Sequence, residues 1–395
     1  MDKKILKPMI ILFVIQFLVM VGFGIVIPIL PFLVERMGGS AVALGVFMAA
    51  YSIMQFFFAP LWGRISDRIG RRPVLMIGLG GYGLTFFLFG FAGNLGILIA
   101  VRALSGMISS AALPTSMAYL ADITEGDERS KAMGMIGAAT GLGMVFGPAI
   151  GGWLGHYSFT TPFFAAGALA LLVLPFAWFL LPETLHAPVV NPTRKRPKIT
   201  LAVLQDPMFM LFAFNFILSF SVAMFETTFA WLAAAKVGFG PRDLGLTFTV
   251  AGIFGVIVQG GLIGKLVKRF SDAPLVLAGT VVSALGLLLI ILSHSVVTII
   301  LATIVFMIGQ SLLGPTSSSL VSKNATEGQG VSLGLFQSFG SLGRILGPIV
   351  GGVLYGIMIG LPYVTGALLL MFMFVIGGRR ILSFGRRPLA QEARA

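Results

Sequence analysis

The sequence predicts an all-α membrane protein of twelve transmembrane helices, two six-helix halves in pseudo-twofold parallel repeat. Three observations predict it. Of the 395 residues, 57% are hydrophobic and 10% charged, against about a quarter charged in an ordinary soluble domain. Apolar runs of roughly twenty residues, each enough to cross about 30 Å of hydrocarbon as a helix, recur along the whole length. Patterns in the first half also return in the second. Gly143-x-x-x-Gly147-Pro148-x-x-Gly151-Gly152 recurs as Gly343-x-x-x-Gly347-Pro348-x-x-Gly351-Gly352, and Pro114-Thr115 recurs as Pro315-Thr316. Thr124-Glu125-Gly126 returns as Thr326-Glu327-Gly328, and Gly63-Arg64 as Gly264-Lys265, all within two residues of one offset.

The first apolar run, Pro8 to Leu33, is too long for the core of a signal peptide and has no Ala-x-Ala site behind it, so it is expected to remain as span one. The spans are predicted at 8–32, 42–62, 74–93, 96–120, 132–154, 161–181, 208–232, 243–265, 274–293, 296–320, 330–357 and 361–380. Spans two and three are separated by the charged stretch Gly63 to Pro73, and spans four and five by Asp122 to Arg129. The long polar stretch Pro182 to Pro207, with Arg194-Lys195-Arg196-Pro197-Lys198 and several Pro, reads as a linker. The halves are therefore 1–182 and 208–395, joined by 183–207, with the cargo path between them.

A net charge of +13 raises the question of a nucleic-acid partner, but the basic residues are sorted by loop. All but Arg36, Lys236, Arg242, Arg102 and Arg344 fall in alternate loops and in the two tails. The positive-inside rule accounts for this without nucleic acid and places both termini in the cytoplasm, the chain being multi-pass in the cell (inner or plasma) membrane. Cys is absent, which excludes disulfides and thiolate metal sites. Neither cofactor nor metal is expected, and the reading is of a monomer.

Polar groups inside such a chain are few, and each needs a reason. Gly63 to Pro73 packs Arg64, Asp67, Arg68, Arg71 and Arg72 into a compact charged loop. Gly63 and Gly70 allow a tight turn, and Asp67 is placed to accept from the free N–H groups that open the next helix. Asp122 to Arg129 sets acids beside these Arg residues, a charge network suited to locking one state. Gating is accordingly assigned to Gly63, Asp67, Arg68, Gly70, Arg71, Asp122 and Arg129, together with the bend at Gly147, Pro148, Gly151 and Gly152, where Pro148 removes one helical bond and Gly lets a neighbour approach.

Arg102 in span four is a cation inside hydrocarbon, which costs roughly 2.5–3.5 kcal/mol for a lone charge and requires protein or water around it. Glu226 is the carboxylate lying well inside a span. Taken out of water, such a group can load and release protons near neutral pH, so it is assigned as the proton carrier. Arg344 in span eleven lies at a comparable depth and can meet it; protonation would then break the bridge and bias a conformational switch. Cargo contacts are assigned to Gln16, Met20, Phe23, Gln55, Met144, Phe220, Phe225, Met307, Gln310 and Gln337. A lining rich in Phe and Met repacks around varied flat apolar molecules.

The stretch from Gly63 resembles motif A of the major facilitator superfamily, with Ile65 in place of the usual Leu. Arg102-x-x-x-Gly106 resembles its motif B, and Gly147-Pro148-Ala149-Ile150-Gly151-Gly152 the core of its motif C. With Gly24 to Pro31, Gln55 and Phe225-Glu226-Thr227, the likeness is to the drug:proton antiporter branch of the NorA and Bmr type. The resemblance implies the major facilitator fold and export of amphipathic drugs, dyes or quinolones in exchange for H+, with the motif B Arg taking part in proton coupling and motif C marking antiporters. Two departures stand out. Ile308 to Gly314 lacks the second acid of NorA-like pumps in span ten, and Arg344 stands where they carry a neutral polar residue. The added cation disfavours cationic cargo.

A rival reading keeps the fold and changes the cargo to a lipid, sugar or amino acid. An intramembrane enzyme would need signatures the chain lacks: there is no His-Glu-x-x-His and no Gly-x-Ser-x-Gly, and His156, His186 and His294 are scattered.

Overall fold

The hydrophobic runs become helices because in hydrocarbon each backbone N–H and C=O has to be satisfied within its own segment. The computed structural model describes residues 3–185, 208–325 and 329–392. The helices are α1 (Lys3–Arg36), α2 (Ala41–Ile69), α3 (Arg71–Gly90), α4 (Leu95–Ser109), α5 (Ala112–Ile123), α6 (Gly126–Tyr157) and α7 (Thr161–Leu180), followed by α8 (Phe209–Val237), α9 (Pro241–Ile257), α10 (Ile263–Phe270), α11 (Asp272–Leu292), α12 (Val296–Lys323), α13 (Gln329–Ile357) and α14 (Leu361–Glu392). They supply 12 segments long and apolar enough to cross a membrane, one for each predicted span. The basic run 194–198 and the repeat element Thr326-Glu327-Gly328 lie outside the described residues.

Two spans are interrupted. Span four breaks between α4 and α5 at Ser110 and Ala111. Pro114 explains the break, since its ring clashes with the carbonyl of the residue four positions earlier, Ser110. Its counterpart Pro315 sits inside the continuous α12. Span eight carries a π-helical turn at Val258–Leu262, between α9 and α10.

The stretch 63–73 is not the loop that its charge suggests. Helix α2 runs on to Ile69 and α3 begins at Arg71, so the turn is Gly70 alone. Gly70 has φ +109°, a conformation costly for any residue with a Cβ. Across that turn Asp67 of α2 pairs with Arg71 of α3 at 2.5 Å.

The described residues gather into two compact units. One takes in 3–39, 46–185 and 240–249, and the other takes in the remainder. In the first, α1 lies along α6, and α3 packs on α7 and α4. In the second, α8 lies along α13, and α11 on α12 and α14. The glycine repeat accounts for the equivalent pairs. A methyl group at Gly147 would sit 2.6 Å from the Val21 carbonyl oxygen of α1, and one at Gly347 would sit 2.6 Å from the Phe220 carbonyl oxygen of α8. Small residues there let the backbones close, which is the main source of helix association in lipid. Gly152 likewise faces the start of α9, where a methyl group would come 2.5 Å from the Pro241 carbonyl oxygen.

Gly147→Leu and Gly347→Leu are each expected to destabilise the protein by about 1–3 kcal/mol through overpacking. Gly137→Leu, where an added carbon meets nothing within 4 Å, is expected to have no such effect; thermal unfolding in detergent compares the three.

Candidate functional site

The charged end of α2 and α3 is built around Arg71, a residue only 5% exposed. Its Nη1 donates to Ser66 Oγ at 2.7 Å and to Asp67 Oδ1 at 2.5 Å, and its Nε donates to Asp122 Oδ2 at 3.1 Å. The expected gating acids Asp67 and Asp122 thus meet on one guanidinium. Gly63 lies inside α2 and its carbonyl accepts from Ser66 Oγ at 2.8 Å. Arg64 and Arg68 are exposed, and Arg72 stacks on Trp178 with its guanidinium carbon 4.3 Å from the ring centre. Arg129 turns away from the cluster and donates to the Ala121 and Thr124 carbonyls at the end of α5, at 2.6 and 3.1 Å.

Asp67 does not cap α3. That role falls to Glu183, just beyond α7, whose Oε1 accepts from Arg71 N at 2.9 Å and whose Oε2 accepts from Arg72 N at 3.0 Å. The positive φ at Gly70 aims the opening of α3 at the chain leaving α7 and leaves Asp67 beside the Arg71 side chain. Sequence reasoning gave Glu183 to the linker, since nothing local marks a partner more than a hundred residues away.

A second cluster was also missed. Asp272, 4% exposed at the start of α11, accepts from Lys323 Nζ at 2.6 Å and Ser319 Oγ at 2.9 Å, both on α12. Asp272 and Lys323 each lie 201 positions after Arg71 and Asp122. The internal repeat therefore carries one ion pair twice with its polarity reversed. Applying the offset to Arg71 and Asp122 would have found it.

Arg102, 1% exposed, is enclosed by rings: its guanidinium carbon is 4.5 Å from the centre of Tyr51, 5.2 Å from Phe47 and 5.5 Å from Phe23. Its Nε has no hydrogen-bond partner, and among the described residues no carboxylate lies within 4.0 Å of it. Cation–π attraction, worth about 2 kcal/mol or more where water is excluded, takes the place of an ion pair.

Glu226 is half-buried on α8, and Arg344 on the adjoining α13 is near enough for its charge to act on the carboxylate. Arg344 is exposed and also donates from Nη2 to Ser341 Oγ at 3.3 Å. Beside Glu226, Phe225 is buried against Phe306 and Phe229, with ring centres 4.6 and 4.8 Å away.

The other expected cargo contacts are dispersed. Gln16 is fully buried, with Nε2 donating to Thr140 Oγ1 at 3.2 Å and Oε1 without a partner. Phe220 is buried and Gln337 exposed, while Met20, Phe23, Gln55, Met144, Met307 and Gln310 are half-buried. Gln310 Nε2 donates to Ser283 Oγ at 3.2 Å. Among the described residues no three His, Asp or Glu side chains gather into a group able to hold a metal ion.

A profile of the Major Facilitator Superfamily matches residues 12–348 and, a second time, 211–392. The chain belongs to the Major Facilitator Superfamily. It is 34% identical over 351 residues to multidrug resistance protein 1 of Bacillus subtilis (strain 168), covering 88% of this chain and 89% of the relative. Multidrug resistance protein 2 of the same strain is 30% identical over 367 residues, 91% of each chain. The quinolone resistance protein NorA of Staphylococcus aureus is 28% identical over 346 residues, 88% of this chain and 89% of that one. Among solved structures, the human organic anion transporter MFSD10 (TETRAN) shares the fold with a TM-score of 0.69 at 23% identity, over 95% of this chain and 99% of that one. The nucleoside transporter NupG gives 0.74 at 16% identity, over 97% of this chain and 98% of that one. As a member of this superfamily the protein is a multi-pass membrane transporter of small molecules and not an enzyme.

Lys323→Asp is expected to cost about 1–3 kcal/mol by leaving the buried Asp272 carboxylate unmatched. The double variant Asp272→Lys with Lys323→Asp is expected to regain most of it, read by thermal unfolding.

Proposed function

We propose that this transporter exports amphipathic drugs or related small molecules from the cytoplasm in exchange for protons, by alternating access, working as a monomer with both termini in the cytoplasm. The observation that carries the reading is the Glu226 carboxylate, held half-buried in α8 within reach of the Arg344 charge. A carboxylate and a guanidinium so placed favour each other while the acid is ionised and lose that attraction when it takes a proton. Protonation thereby changes the balance between α8 and α13, and cargo exchange follows. The names of the relatives support drug efflux. Each elementary charge crossing 100 mV supplies about 2.3 kcal/mol to drive it.

Arg344 also bears on cargo. Its exposed guanidinium adds a positive charge near the proton carrier, which favours neutral or anionic molecules over cations. Arg102 is assigned to proton coupling with Glu226 and Arg344; caged by Phe23, Phe47 and Tyr51, it joins α1, α2 and α4 about one buried charge. The opening of the Asp67, Arg71 and Asp122 cluster gates the cycle, and the halves 1–182 and 208–395 are its moving parts.

Reconstitution in liposomes with a pH-sensitive dye inside tests the proposal. Drugs of neutral or anionic character are expected to move protons faster than cationic ones, and Glu226→Gln is expected to abolish the response while the protein folds normally. Full proton exchange in Glu226→Gln would remove the assigned carrier. Arg344→Gln is expected to shift the preference toward cationic drugs, seen as a reversed ranking in the same assay.

A further inference from the structure

We infer that the end of α7 leading to Glu183 carries a binding site for an anionic phospholipid, with acyl chains in the grooves that flank the helix and the phosphate meeting Arg72 and Lys7. Two apolar grooves lie there. The larger, about 540 Å³, runs between α3 and α7 and is walled by Met76, Ile77, Leu174, Pro175, Trp178 and Phe179. The smaller, about 280 Å³, lies where Leu6, Lys7, Ile10 and Ile11 of α1 meet Leu180. Phe179 and Leu180 are successive residues, so the two grooves adjoin the same turn of α7. The seam between α3 and α7 accounts for the larger one. It is tight at Gly83, where an added Cβ would fall 2.8 Å from the Leu171 side chain, and at Gly167, where one would fall 2.9 Å from the Gly83 carbonyl oxygen. Toward the charged end the bulkier Met76 and Ile77 oppose Leu174 and Trp178, and the space opens between them.

Hydrocarbon alone does not select a lipid, since an acyl chain gains little by leaving other chains for an apolar wall. The cations at the groove ends supply the selection. Arg72, next to Pro73 at the edge of the larger groove, holds its guanidinium carbon 4.3 Å from the centre of the Trp178 ring, and its Nε is buried without a hydrogen-bond partner. Lys7 is exposed at the smaller groove. Among the described residues no carboxylate lies within 4.0 Å of either cation. The acids near Arg72 are engaged elsewhere: Glu183 accepts from the Arg71 and Arg72 backbone N–H groups, and Asp67 and Asp122 pair with Arg71. The starts of spans one and three and the end of span six share one membrane face, which sets both cations at the depth of lipid phosphates. A guanidinium meets phosphate through paired N–H donors and an ammonium as a point charge, and stacking on Trp178 orders the guanidinium beforehand. A diacyl lipid with a net negative head supplies chains for the grooves and charge for the cations; a zwitterionic head adds a positive group that the same cations repel.

Native mass spectrometry of the purified protein equilibrated with phosphatidylglycerol and phosphatidylcholine of matched chains tests the site. A single phosphatidylglycerol is expected to be retained in preference to phosphatidylcholine by about tenfold, the pull of two basic groups at a membrane surface. Arg72→Gln with Lys7→Gln is expected to abolish the preference. Ile77→Trp, which fills the larger groove and leaves every charge in place, is expected to weaken retention of phosphatidylglycerol. Lys268→Gln with Arg269→Gln, which removes exposed charges of α10, is expected to change neither reading. Where the Arg72 variant folds poorly, Lys7→Gln alone, at an exposed position, is expected to show an intermediate preference. Equal retention of the two lipids by the parent, a preference unchanged in the Lys7 variants or lost equally in the α10 variant, or retention indifferent to Ile77→Trp would overturn the inference. Neither cargo nor gradient enters the measurement, so it stands apart from the proposed exchange of drug and proton.

Discussion

Hydrocarbon sets the terms for every charge in this chain. A span has no water to spare for an ionised side chain, so each one must be answered by protein or moved toward an accessible space. Three answers are visible. Arg71 and Asp272 are satisfied by opposite charges at the helix ends. Arg102 is enclosed by three aromatic faces, its Nε without a hydrogen bond. Glu226 is left half-buried with a cation acting on it from the next helix. The first two arrangements hold both partners in place. In the third, one proton changes the interaction, and this difference singles out Glu226 among the charges within the spans.

The internal repeat extends this logic. The glycine stripes of α6 and α13 seat against α1 and α8 through the same carbonyl contacts, so the packing duplicates. The charge pairs duplicate in position and not in sign: a cation opens α3 and an anion opens α11. An anion suits the positive end of a helix dipole, so Asp272 is favoured where it stands. Arg71 opposes the dipole of α3, and the Glu183 carboxylate on the first N–H groups offsets that. The two helix ends thus meet their dipoles by different means, Asp272 by its own charge and α3 through the carboxylate of Glu183.

Much of the fold was legible because membrane thickness imposes a length and composition on each span that no other structure needs. The glycine and proline repeats were legible for a related reason, being backbone requirements tied to fixed positions. Side-chain partnerships were less so. Asp67 was the natural cap for α3 by proximity, yet the turn at Gly70 handed that place to Glu183. Pro114 and Pro315 occupy equivalent positions, but only the first interrupts its helix, a difference that the shared Pro-Thr motif does not announce. The aromatic cage of Arg102 draws Phe23, Phe47 and Tyr51 from two other helices, a convergence that no local pattern announces.

The central claim is that cargo and proton compete through Glu226. Infrared difference spectroscopy on the purified protein, without any gradient, tests it most directly by following the C=O band of a protonated carboxyl group as a transported drug is added. The account predicts a loss of that band on drug binding, absent in Glu226→Gln. A drug that binds without changing the band, or a loss that persists in Glu226→Gln, would contradict it.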